Sequence, residues 1–323
     1  MRVCCLIRAP VSSCCDTHGP QNLVLTRIEE TTLTRQLVGL KSSLKKMACK
    51  IICLTAFLVG ASALGRVDTM ASARARAKAR LREALRSADD RASDPNVIAA
   101  VEALSAYNPT EAPAKSDTLF GDWYQLNANE YPGDKGVDEA GNRLYTLGRG
   151  TFGVFEPKEL PCAMGKASNS LVRRKGSDVI DYTIEIPISF KDAEGRLASG
   201  LLVNEAECEV LSDERLGVKF TGGYLCPDGD EACVPEAWTS TFEAAYANYK
   251  PRKRERLMNW LLKRMMGLEK PTGMSTDGSL TYKMTKSPHG HLDVIFLDDE
   301  LRITRGNKGT VVIAERARDA VAA

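Results

Sequence analysis

The chain has 323 residues, 43% of them apolar and 6% aromatic, which is room for one large or two small soluble domains. Its net charge of +2 is an average, because residues 1–63 hold 8 Lys and Arg against 3 acidic residues, leaving 36 against 39 beyond them. A slightly acidic body argues against nucleic acid as the main partner, and four scattered cysteines there (Cys162, Cys208, Cys226, Cys233) do not make a disulfide scaffold.

The first segment with a signal of its own starts at Met47. Ile51 to Ala61 is an apolar run too short to span a bilayer, preceded by Lys45, Lys46 and Lys50 and followed by Ala61-Ser62-Ala63, a small-x-small cleavage pattern. Residues 47–63 are therefore expected to be a signal peptide, with 1–46 an upstream extension carrying no fold signal. Residues 64–90 then read as transit-peptide-like, because Ser72 to Arg82 is rich in Ala and Arg with no acid before Glu83. The alternative for residues 71–87 is the first exposed helix of the domain. A signal peptide followed by a transit peptide is the address used by algae whose plastid lies inside extra membranes.

The domain proper is expected over 91–323. Ser93-Asp94-Pro95 is a helix start, and Val97, Ile98, Val101 and Leu104 recur at helical spacing until Asn108-Pro109 ends the pattern. From 118 to 315 short runs are punctuated by Gly, Pro, Asn and Asp, predicting strands near 118–126, 144–155, 180–189, 199–210, 216–224, 236–245, 279–285, 292–297, 300–305 and 310–315. Ile180, Tyr182, Ile184, Ile186 and Ile188 share one face of the clearest strand. So many antiparallel strands of one-sided polarity predict a mainly β protein, a closed lipocalin-like barrel wide enough for one ligand.

Several motifs invite chemistry and fail on their context. Gly148-Arg149-Gly150-Thr151-Phe152-Gly153 matches a phosphate-loop spacing, yet Val154-Phe155-Glu156-Pro157 does not open a helix, so a bend is expected. His289 and His291 lack a third metal ligand nearby in sequence, and Gly273 to Asp277 misses the nucleophile elbow by its last glycine. No metal, cofactor or catalytic residue is expected. Cys226 and Cys233 flank a turn-forming loop short enough for a disulfide, with two unpaired thiols as the alternative.

Tyr249 to Gly267 breaks the β pattern. Arg256, Leu257, Trp260, Leu261, Arg264 and Met265 belong to a helix with apolar residues on one side and bases flanking them, the pattern of a helix lying on an anionic membrane. The alternative is a strut or lid across the barrel.

Two end motifs remain. Leu104-Ser105-Ala106-Tyr107-Asn108-Pro109-Thr110 precedes Leu119-Phe120-Gly121-Asp122-Trp123-Tyr124, and near the C-terminus stands Leu297-Asp298-Asp299-Glu300-Leu301-Arg302-Ile303-Thr304-Arg305-Gly306, continuing to Gly309. On these residues the chain resembles the plastid lipid-associated proteins, also called plastid fibrillins or plastoglobulins. The resemblance implies association with plastoglobules or thylakoids and with prenylquinones, carotenoids or other lipids, without catalysis. Some members are thought to hold a prenyl-lipid enzyme, so a scaffold with little ligand of its own is the competing expectation. Ligand contacts are expected among Phe120, Trp123, Phe152, Tyr182, Ile184 and Ile186. Barrel closure is expected from Gly121, Trp123, Arg302 and Arg305: if Leu301, Ile303 and Arg305 face inward, Arg305 meets Trp123 and Arg302 pairs outside with Asp298 or Asp299.

Overall fold

Period-two alternation shapes the centre of the molecule. In the computed structural model, which describes residues 69–229 and 234–317, strands β1 (Gly121–Gln125), β4 (Ser168–Arg173), β5 (Ile180–Lys191), β6 (Leu197–Val210), β7 (Arg215–Pro227), β10 (Gly290–Leu297), β11 (Leu301–Gly306) and β12 (Val311–Arg316) pair in a closed ring. All neighbours in the ring are antiparallel, and the circle closes where β1 pairs β12 with Trp123 opposite Arg316. This is the lipocalin-like barrel expected from the strand pattern.

β5, β6 and β7 are longer than the barrel needs. Their far halves pair with β3 (Pro161–Met164) and β9 (Leu280–Met284), and β2 (Arg143–Thr146) and β8 (Leu268–Glu269) extend this second sheet. One face of β5 therefore serves two cores, with Ile180 and Tyr182 in the barrel, Ile186 and Ile188 under the extension, and Ile184 touching both.

Helix α4 (Glu236–Asn248) covers the extension, where a strand over 236–245 had been expected. Trp238 and Phe242 stand four apart and are both buried with Phe190, so their spacing is helical rather than alternating. Thr241 also returns its hydroxyl to the Ala237 carbonyl at 2.7 Å, which turns a strand-preferring residue into a helix-compatible one. The helix sits tight against β6: a Cβ on Gly200 would lie 2.2 Å from the Cys226 carbonyl oxygen and 2.5 Å from the Trp238 ring. Gly200→Ala is expected to cost about 2 kcal/mol, read as a lower urea midpoint at unchanged m value.

The expected strand over 144–155 is only half strand. After β2 the chain makes one helical turn, α3 (Leu147–Gly150), and a tight turn at Thr151 to Gly153, which is the bend that the glycines foretold.

Two helices close the other side. α2 (Pro95–Ser105) starts on the Asp94 side chain, which accepts the Asn96 N–H at 2.8 Å, and buries Val97, Val101 and Leu104 as the spacing required. α1 (residues 69–87) covers the Arg-Ala stretch and buries Ala77, Leu81 and Leu85. Together these side chains pack on Phe296, Leu301, Ile303 and Ile313, the outer face of β10 to β12. The segment 69–87 is thus part of the packed domain, and the domain core begins before residue 91. Residues 1–46 and 47–63 lie outside the described residues.

That helix layer reverses the assignment of β11. Leu301 and Ile303 face the helices, so Arg302 and Thr304 point into the barrel and Arg305 is at the half-buried strand end. Alternation identifies two faces, but here both are covered, and the larger apolar residues went to the helix side. A bulge between Val294 and Phe296 shifts the phase of β10 in addition, placing Val294 and Leu297 inside and Phe296 outside.

Candidate functional site

The end motifs meet at one seam. Asn108 accepts the Leu297 N–H at 3.1 Å through its side-chain oxygen, and the Thr110 hydroxyl donates to the Leu297 carbonyl at 2.7 Å. Asp298 accepts the N–H groups of Glu300 and Leu301 and so caps its own turn. Its other carboxylate oxygen lies 2.6 Å from Lys78 of α1, which also reaches Glu300 at 2.9 Å. The expected pairing of Arg302 with Asp298 or Asp299 is therefore replaced by a lysine from the first helix.

Inside the barrel, Arg302 rather than Arg305 stands over the Trp123 ring, its guanidinium carbon 4.9 Å from the centroid. Arg316 takes another position over the same ring at 4.3 Å. Arg316 was missed in the sequence, since only the β1–β12 register puts it opposite Trp123. It is anchored by the carbonyls of Asp299, Phe120 and Thr118, and its Nη1 occupies the space that a Cβ on Gly121 would need. This explains the Gly-x-Trp spacing: Gly121, at φ +110, leaves room for a guanidinium that a side chain would exclude.

Arg302 is 2% exposed and bonds the Asn169 side-chain oxygen, while its Nε has no partner among the described residues. Burial pushes its pKa down to about 10, with the Tyr182 phenol opposing the shift. The guanidinium still carries its charge at neutral pH, held by the Trp123 ring and the Asn169 amide oxygen rather than by a carboxylate. Burial raises the Cys208 thiol beside it to about 12, so that sulfur is not a nucleophile at neutral pH.

The proposed ligand-contact residues do not converge on one cavity. Trp123 and Tyr182 are interior, packed with Leu171, Cys208 and Leu216, and Phe120 lies at their edge against Arg173 at 4.6 Å. Ile184 and Ile186 lead into the extension core. Phe152 is on the surface, 85% exposed. The bend at 150–153 carried it out of the strand that alternation implied.

The surface offers a different site. Helix α5 (Lys253–Met266) is capped at its start by Glu255, whose carboxylate accepts the Arg252 N–H at 3.0 Å, and at its end by Gly267 at φ +61. That hydrogen bond, with Lys158 beside it, lowers the Glu255 pKa. No residue of α5 is buried; Leu262 and Met266 lean on the extension core, while Leu257, Trp260, Leu261 and Met265 face solvent. Trp260 is 62% exposed, whereas Trp123 and Trp238 are fully buried. Lys253, Arg254 and Arg264 make no ion pair with a carboxylate among the described residues, and Arg256 uses its guanidinium on the Pro251 carbonyl. A cleft of about 470 Å³ runs between the helix and the following segment, lined by Trp260, Lys263, Leu268, Lys270 and Thr272. All six membrane-contact candidates from the sequence lie on this helix.

Among the described residues no helix is long and apolar enough to cross a membrane, and no three His, Cys, Asp or Glu residues are grouped to hold a metal ion. Cys226 is half-buried near the barrel extension, and its proposed partner Cys233 lies outside the described residues.

The PAP_fibrillin family model matches residues 189–315, from the end of β5 through most of β12. The match supports the plastid lipid-associated family that the end motifs resemble, and the 104–124 motif lies outside the matched span. No curated protein and no solved structure matches the chain.

Proposed function

We propose, from the match to the plastid lipid-associated family, that this chain is a non-enzymatic plastid protein which docks on the lipid surface of plastoglobules or thylakoids through α5. The address over residues 47–90, with a leader removed on import into a plastid of the complex algal kind, is part of the same proposal. The observation that carries it is the solvent-facing row Leu257, Trp260, Leu261 and Met265, flanked by Arg256 and Arg264. Exposed apolar patches of this kind mark interaction sites, and each base near an anionic leaflet adds about 1 kcal/mol. Hydrophobic small molecules such as prenylquinones or carotenoids would be met at that surface, where Trp260 and the adjoining cleft lie.

The test is co-sedimentation with vesicles containing phosphatidylglycerol. The triple variant Leu257→Ser, Leu261→Ser, Met265→Ser is expected to bind about a hundredfold more weakly, with an unchanged thermal midpoint because these side chains are already exposed. Wild-type binding should also weaken as salt rises. Equal sedimentation of variant and wild type would remove α5 from the docking surface.

A scaffold for a prenyl-lipid enzyme is the second reading. Its support is the barrel interior, which Trp123, Arg302, Tyr182, Leu171 and Cys208 occupy with the protein's own side chains. Native lipid extraction that recovers no lipid, together with a stoichiometric enzyme partner, would favour it.

A further inference from the structure

We infer that Phe152 is a second anchor for the same lipid surface, so that the protein meets an anionic bilayer or monolayer at two points and in one orientation. This rests on the docking reading above and adds a residue that neither the α5 pattern nor the end motifs contain.

Phe152 is the most exposed large apolar side chain among the described residues. It is also held in the left-handed region, at φ +52, where a non-glycine residue costs about 1 kcal/mol or more. The strain is imposed by a tight frame: Thr151 N–H and hydroxyl both donate to the Leu147 carbonyl, at 2.9 and 2.7 Å, and Gly153 N–H donates to the Gly148 carbonyl at 2.7 Å. An aromatic ring, 85% exposed, is thus presented to solvent by a stiff turn, with the Tyr131 ring at right angles to it 6.5 Å away.

The turn is tied to the segment that follows β8, and the residues after it to the start of α5. The Gly153 carbonyl accepts Lys270 Nζ at 2.6 Å, and Lys270 lines the cleft that Trp260 and Lys263 share. Five residues after Gly153, Lys158 reaches Glu255 in the first turn of α5 at 3.1 Å and Glu156 at 3.0 Å. Burial opposes the Lys158 charge, but hydrogen bonds to Glu156 and Glu255 outweigh it and raise its pKa, so the tie persists at neutral pH. Phe152 and the exposed row of α5 therefore belong to one structural unit. The unpaired bases of α5 select an anionic lipid surface over an apolar protein partner.

The experiment uses Phe152→Asn in the whole chain. Asn tolerates the left-handed region better than Phe, so thermal stability is expected to be equal or higher. Binding to phosphatidylglycerol-containing vesicles should nonetheless fall roughly tenfold. A second protein, Phe152→Trp combined with Trp260→Phe, reports depth: its fluorescence is expected to be quenched by lipids brominated on their acyl chains, with buried Trp123 and Trp238 as the constant background. If wild-type Trp260 is quenched while the Trp at 152 is not, and Phe152→Asn binds like wild type, the second anchor is overturned and docking by α5 stands. If neither tryptophan is quenched and no protein sediments, or if a second copy of the chain protects Phe152 instead, the docking reading falls and this inference with it.

Discussion

A chain that begins at residue 91 is expected to be insoluble or largely unfolded, while one that begins at residue 69 folds. Removing α1 takes away Leu81 and Leu85, each worth about 2 kcal/mol of burial, and uncovers Leu301, Ile303 and Ile313 on the outer face of the barrel. It also removes Lys78, leaving Asp298, whose side chain is 11% exposed, without its cation at the turn before β11. The sum, about 5 kcal/mol or more, matches the whole stability of many domains. Circular dichroism and urea unfolding of the two chains would decide it. Equal stability would mean that α1 is dispensable, and a transit-peptide cut near residue 90 would then be compatible with the fold. With the expected result, any such cut must fall before the core residues of α1.

Trp123→Ala is expected to lower stability by about 5 kcal/mol, combining a cavity at a fully buried indole with loss of the π face that holds two guanidiniums. Replacing the charge has a different result. Arg302→Met keeps most of the volume and removes a cation that no carboxylate compensates, so it should cost less than about 1 kcal/mol or stabilise the protein. Both variants leave the Asn169 side-chain oxygen without its donor, but Arg302→Ala also opens a cavity inside the barrel and should cost about 3 kcal/mol. Urea unfolding at neutral pH separates the three. If Arg302→Met proved as damaging as Arg302→Ala, the guanidinium itself, through a bound group inside the barrel, would be the reason for its presence.

Much of the candidate surface was legible because it depends on local pattern. The helical row of α5 and its bases needed only a period of 3.6 and a glycine to end it, and the structure leaves that row on the outside. α2 was similarly announced by Asp94-Pro95 and closed by Asn108-Pro109. α4 was hidden by its threonines and aromatics, which prefer strands until Trp238 finds Phe190 and the bare Gly200 beneath it. Phe152 was placed in the barrel because alternation runs through a bend that only the turn hydrogen bonds reveal.

The amino-acid order alone determined that strands would alternate, that they would close around a Gly-x-Trp and a late arginine, and that one basic helix would stand apart. Those features follow from side-chain periodicity and from turn residues, which act over a few positions. Which arginine meets Trp123, which face of β11 is interior, and whether the Arg-Ala segment is packed were decided only by the tertiary structure. The reason is that α1 and α2 bury the second face of β11, so polarity no longer labels inside and outside. Arg302 is stable in the barrel because Trp123 and Asn169 come to it from strands more than 130 residues away in sequence.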